Sequence, residues 1–170
     1  PSIDPDVVLP PNLKTLDVRV FRGDINFKAV NVLTQLENLV IRHSDPSSSP
    51  VDLSFCPNLK VLDCPCLSVD NLPLTIVQCR VVVTHDFDFS IYSSLYTLSL
   101  DMPESFNVTF PVSLKRLFVA DVFPRNSNIE RLALDQAVFS ENVHIGLKDY
   151  LLLGKIASAF YVVHQPSHLI

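Results

Sequence analysis

The chain has 170 residues, with 13 Lys or Arg against 18 Asp or Glu, a net charge of −5. An acidic chain of this size lacks the clustered positive surplus that a phosphate backbone requires, so no nucleic-acid partner is expected. At 48% hydrophobic and 18% charged residues it can bury a substantial core and does not have the composition of a disordered chain. Its 24 Leu and 22 Val stand against 6 Ala, 4 Glu and 3 Gly, poor in helix formers and rich in strand formers, which argues against a helix bundle. No run approaches the roughly 20 apolar residues of a membrane-crossing helix, so no membrane insertion is expected. The length suits a single domain over 1–170. A start at Pro1 and the apolar run Ala159–Val163 close to the end, with no acidic or Lys/Arg residue behind it, suggest a fragment of a longer chain.

In chain order, one ten-residue word recurs. Leu9–Val18 reads LPPNLKTLDV, Val32–Ile41 VLTQLENLVI, Phe55–Cys64 FCPNLKVLDC, Leu72–Val81 LPLTIVQCRV, Ile91–Leu100 IYSSLYTLSL and Phe110–Val119 FPVSLKRLFV. Weaker copies follow at Arg125–Leu134 (RNSNIERLAL) and Val143–Leu152 (VHIGLKDYLL). Apolar matching alone proves little in so hydrophobic a chain, but particular residues recur too, as in Asn12-Leu13-Lys14, Asn58-Leu59-Lys60 and Ser113-Leu114-Lys115. The first apolar residue of L-x-x-L-x-L falls at 13, 36, 59, 76, 95, 114, 129 and 147, a mean step of about 19.

In L-x-x-L-x-L the side chains alternate, so Leu16 and Val18 point one way and Thr15, Asp17 and Arg19 the other. A strand of three or four residues cannot bury a face alone. Stacked in register with its own copies it forms a parallel sheet with a continuous apolar column behind it. The spacing therefore predicts a mainly β solenoid of seven or eight coils. Phe87, Phe106, Phe123 and Phe139 are expected to supply a second, aromatic layer where the chain turns back. The 23-residue steps leave room for a short helix, with Ile25, Phe27, Val30 and Leu33 on its apolar face. The shorter steps should close through extended, turn-like or 3₁₀ segments, as Pro103, Pro111 and Pro124 suggest. The stretch DPSSSP at 45–50 reads as a loop.

The word resembles the leucine-rich repeat, in the short, Pro-rich, divergent form of bacterial effectors, FNIP-type repeats and some fungal proteins. That resemblance implies an α/β solenoid family member with a parallel sheet on the concave face and a mostly non-helical convex side, acting in protein–protein interaction. The chain departs from the family at the ninth position, where Asn is expected and Phe21, Ser44, Leu67, Thr84, Pro103, Val122, Ala137 and Lys155 stand. Without an Asn ladder the turns must satisfy their backbone by other means, which predicts an irregular solenoid.

Cys56, Cys64, Cys66 and Cys79 have no C-x₂-C knuckle, and Cys64 and Cys79 occupy core positions of the word. They read as packed thiols, which suits a reducing compartment, cytoplasm or nucleus, with secretion as the alternative. In His85-Asp86-Phe87-Asp88-Phe89 alternation separates the carboxylates from the rings, as on a solvated strand edge. No histidine lies in a metal or nucleophile motif, and Gly23, Gly146 and Gly154 form no phosphate loop, so neither enzyme activity nor a cofactor nor a metal is expected. Asn107-Val108-Thr109 is a glycosylation sequon that matters only if the chain is secreted. The residues between the core leucines form the open face of the predicted sheet: Asp17, Arg19, Val40, Arg42, Asp63, Arg80, Val82, Ser99, Asp101, Arg116, Phe118 and Arg131. Large apolar groups and Arg on a face otherwise open to water point to a protein partner of patterned charge. A spacer or scaffold with no dedicated ligand face is the alternative reading, and an enzyme without a recognisable motif the third. Uncapped solenoid ends expose apolar edges and predict self-association.

Overall fold

A computed structural model of the protein describes residues 9–19, 33–42, 51–122, 124, 127–140 and 147–163. Within them the first six words fold as a tight corner followed by a short strand. The backbone N–H of Leu13, Leu36, Leu59, Ile76, Leu95 and Leu114 each donates to the carbonyl three residues earlier, at 3.0–3.1 Å. Pro11 and Pro57 occupy the first central position of such a corner, where a fixed φ is favourable, and Asn12, Asn58, Ser94 and Ser113 the second, where short polar side chains are at home.

The strands are β1 (Thr15–Arg19), β2 (Asn38–Arg42), β3 (Val51–Asp52), β4 (Val61–Asn71), β5 (Gln78–Val82), β6 (Phe87–Asp88), β7 (Thr97–Met102), β8 (Val108–Thr109), β9 (Arg116–Asp121), β10 (Leu134–Ser140) and β11 (Ala157–Val163). One helix, α1 (Leu147–Ile156), and a 3₁₀ turn at Ile129–Arg131 complete the described elements. The main sheet runs in the order β1-β2-β4-β5-β7-β9-β10-β11, and every pairing in it is parallel. The protein is thus a mainly β solenoid with a parallel sheet and little helix, of about six turns. That is fewer than the seven or eight coils the words suggest.

Register explains the core. Leu39, Leu62, Cys79, Leu98, Leu117 and Ala137 are aligned across successive strands and all fully buried. A second column contains Val81, Leu100, Val119 and Phe139, also buried. Each fully buried Leu is worth about 1.5–3 kcal/mol over its exposed state, and because each coil packs on its neighbours the columns hold the stack together. The return side is built from the pairs β3–β4 and β6–β8 and carries an aromatic layer. Its members are Phe87 and Phe89, with ring centroids 4.4 Å apart, Tyr92 at 6.2 Å from Phe89, and Phe110. Burial pushes the Tyr92 phenol above its ordinary pKa, and its oxygen accepts the Leu72 N–H at 3.2 Å.

Several expectations are corrected, and others fall outside the described residues. Phe106 packs only partly against the core, Phe123 lies outside the described residues, and Phe139 belongs to β10 in the main sheet, where it meets Phe160 at 5.7 Å. Of the predicted helical face, Ile25, Phe27 and Val30 lie outside the described residues, and Leu33 opens a corner. The loop at 45–50 is likewise outside them. The last two words are displaced. Ile129–Arg131 is a 3₁₀ turn, and Leu117 pairs with Ala137, so the seventh strand follows Leu134-x-x-Ala137-x-Phe139. The segment read as an eighth strand enters α1 instead, and β11 follows Ala157-x-x-Phe160-x-Val162.

Single side chains take over the missing Asn ladder. Asn128 donates Nδ2 to the Phe110 carbonyl at 2.9 Å and accepts the Phe110 N–H on Oδ1 at 2.7 Å, standing in for a neighbouring strand. Asp86 accepts the Asn107 N–H at 2.8 Å and its Nδ2 at 2.6 Å, tying one coil to the next and engaging the sequon asparagine. Asp52 and Asp88 accept the N–H of Ser54 and Ser90, each at 2.9 Å, and the Ser54 bonds hold the Asp52 carboxyl below its usual range. Thr84, at an expected ladder position, bonds the buried Ser68 hydroxyl at 2.7 Å.

Candidate functional site

The side chains that alternate with the core columns face outward on the main sheet in three rows. Register fixes the middle row as Asp17, Val40, Asp63, Arg80, Ser99, Phe118, Val138 and Tyr161 on successive strands. Neighbours in such a row are about 4.8 Å apart, the spacing of paired strands. Arg116 and Gln136 fall in the row before it, and Arg42, Val82 and Asp101 in the row after. Asp17, Arg42, Arg80 and Arg116 are exposed, while Val40, Asp63, Val82, Ser99, Asp101 and Phe118 are half-buried. The backbone of Arg19 pairs with Arg42, and its side chain lies outside the described set.

Arg131 is not part of this face. It sits in the 3₁₀ turn before β10, and the residue aligned with Arg116 is Gln136. Three residues that belong to the face were not expected there: Gln136, Val138 and Tyr161. They would have been found by letting Ala137 and Phe160 fill the leucine position of the word. The correction changes the character of the surface. Its first half is charged, with Asp17, Asp63 and Arg80, and its second half is apolar, with Phe118, Val138 and Tyr161 side by side and Tyr161 56% exposed.

Strand β4 interrupts the ribbon. Its register against β5 shifts between Asp63 and Ser68, so several residues oppose Val81 alone, and its pairing with β2 stops at Asp63. At Asp63, the last residue paired before this bulge, one carboxylate oxygen, Oδ1, is enclosed with no hydrogen-bond donor among the described residues, and the Arg80 Nη1 stands 3.9 Å away. Arg116 leans over the Tyr96 ring, 5.7 Å from its centroid, and the Tyr96 hydroxyl makes a long 3.5 Å contact to Asp135. At the entry to the sheet Glu37 lies between Lys14 at 3.1 Å and Lys60 at 3.0 Å, and their hydrogen bonds hold its carboxyl below the usual range.

The other candidates resolve locally. Cys56, Cys64 and Cys79 are buried, and desolvation pushes the thiols of Cys56 and Cys79 upward, away from the reactive thiolate. The Cys66 side chain is outside the described set. Phe87 and Phe89 are buried and Asp86 and Asp88 exposed, as alternation requires. His85 is 3.7 Å from Asp70, and among the described residues no three His, Cys, Asp or Glu side chains are grouped to hold a metal ion. No helix among them is long and apolar enough to cross a membrane. These features define the protein as a β-solenoid with an open, chemically divided sheet face. No family model, curated protein or solved structure matches the chain.

Proposed function

We propose that the protein is an interaction module that docks a partner protein on the open face of its main sheet. The observation that supports this most is the row Phe118, Val138 and Tyr161, three apolar side chains on consecutive strands that reach the surface where a solvated sheet would carry polar groups. Arg116, exposed beside them, adds a directional cation, and aromatic and Arg groups together are the usual anchors of binding energy. The charged half, from Asp17 to Arg80, supplies orientation and selectivity. The resemblance of the word to leucine-rich repeats points in the same direction, and such a module would serve as the recognition arm of a larger assembly.

The test is affinity capture with the intact chain, read by mass spectrometry beside two variants, Phe118→Ala/Tyr161→Ala and Arg42→Ala/Arg80→Ala/Arg116→Ala. Circular dichroism and thermal melting show that each variant is folded. Partners that use the face fall at least tenfold with the aromatic pair. A capture profile that neither variant changes would leave the face unused and favour the spacer reading.

A further inference from the structure

Six of the large apolar side chains most exposed to solvent lie on one corner of the solenoid. Phe55 is 57% exposed, Leu74 64%, Val77 40%, Ile91 60%, Tyr96 41% and Val112 78%. They come from four consecutive coils, at the bend where the chain enters β4, β5, β7 and β9. Backbone bonds hold these bends against one another: Val77 N–H to the Lys60 carbonyl at 2.8 Å, Tyr96 N–H to Val77 at 2.8 Å and Lys115 N–H to Tyr96 at 3.0 Å. The Thr75 hydroxyl adds a bond to the Pro57 carbonyl at 2.9 Å, and that of Ser113 one to Leu95 at 2.9 Å. Single exposed apolar residues are ordinary, whereas a row of them in a fixed stack marks a contact surface.

The two rims of this ridge carry opposite charge. On the side of the main sheet one row runs Lys60, Val77, Tyr96 and Lys115 through the four coils, with Arg116 resting on Tyr96; Lys60 also pairs with Glu37 at 3.0 Å, and Asp135 continues the row beyond Lys115. On the return side stand Asp52 and Asp88, fixed by their bonds to Ser54 and Ser90. A membrane of anionic lipids would be repelled along the second rim. Three coil steps of about 4.8 Å make the ridge roughly 14 Å long. At 1.5 Å per residue that is about ten residues of α-helix, enough for apolar side chains at i, i+3 or i+4, and i+7.

We propose that this corner is a second docking surface, which meets the open sheet face at Arg116 but does not include its apolar row Phe118, Val138 and Tyr161, and that it takes an amphipathic helix of another protein with acidic residues on one flank and basic residues on the other. The acidic flank lies toward Lys60, Lys115 and Arg116, and the basic flank toward Asp52 and Asp88. Apolar side chains of the helix cover Leu74, Ile91 and Val112.

A displayed library of helical peptides about 16 residues long, selected on the intact chain, tests this. Enriched peptides should carry the apolar stripe with oppositely charged flanks, and should bind the folded double variant Leu74→Ser/Val112→Ser at least tenfold more weakly. Both positions are exposed, so the variant folds, as circular dichroism confirms. Phe118→Ala/Tyr161→Ala should leave peptide affinity unchanged, which separates this surface from the sheet face. No enrichment, an unpatterned set, or equal affinity for the ridge variant overturns the proposal. So does co-sedimentation with phosphatidylserine vesicles, or a dimer in ultracentrifugation, that the ridge variant alone abolishes, since these would assign the ridge to lipid or to a second copy.

Discussion

Asn128→Ala is the sharpest probe of how the irregular stack closes. The asparagine is the only described partner of both the Phe110 N–H and its carbonyl, at 2.7 and 2.9 Å, and the Phe110 side chain is fully buried. Truncation leaves two main-chain groups without partners. Each such group costs roughly 1–3 kcal/mol when it stays dry. Asn128 is half-buried, so water can reach part of the gap, and the lower half of that range applies, giving about 2–4 kcal/mol for the pair. Against a total of roughly 5–15 kcal/mol for a domain, this is a large loss. Urea denaturation measures it as a lowered midpoint at constant slope, and amide exchange at Phe110 should quicken. Asn128→Asp keeps the acceptor for the N–H but turns an oxygen toward the Phe110 carbonyl. It should be at least as damaging as alanine at neutral pH and partly recover below about pH 4, where the protonated carboxyl can donate. A loss under about 1 kcal/mol for Asn128→Ala, with Phe110 exchange unchanged, would refute the idea that one side chain replaces a strand here.

Leu98, fully buried between Cys79 and Leu117, should cost about 3–5 kcal/mol when cut to Ala, whereas exposed Leu74→Ala should stay within about 0.5 kcal/mol; equal costs in chemical denaturation would mean that the columns do not carry the stack. Stability should also fall on the alkaline side. Burial raises the Cys79 thiol in the folded state, so the unfolded chain gives up that proton first, the stabilisation is complete below about pH 8.5 and shrinks above it, and Cys79→Val should flatten this limb in a pH series of melts.

Most of the architecture is legible in the sequence because two independent signals coincide in the first six words. The apolar positions place the core columns, and Pro, Asn, Ser or Thr just before the first leucine makes the corner that sets the strand's start. Leu13, Leu36, Leu59, Ile76, Leu95 and Leu114 all close such a corner. What the pattern could not supply is the bulge in β4. Among the first six words the 17-residue step from Leu59 to Ile76 is the shortest, and one strand of 11 residues spans both the main sheet and the return side within it. Neither Cys64-Pro65-Cys66 nor the step length states where the extra residues are taken up, since that depends on where β3 and β5 lie.

The seventh word fails for a reason that bears on function. Asn128 before Ile129 looks like Asn12 before Leu13 and Asn58 before Leu59, and Ile129-x-x-Leu132-x-Leu134 satisfies the apolar pattern as well as the correct reading does. The polar residue is there for another purpose, since its amide serves Phe110, and the turn it precedes is a 3₁₀ corner that buries Ile129. The strand begins at Leu134, and the columns are filled by Ala137 and Phe139, a small residue beside a large one in place of two leucines. A reading tied to leucine therefore assigns Arg131 to the open face and misses Val138 and Tyr161. With Arg131 the face would carry scattered apolar groups among charges and end on a cation beyond Phe118. With Val138 and Tyr161 it divides into a charged part and an apolar part, and only the divided surface offers a partner both an anchor to bury and charges that fix its direction along the stack.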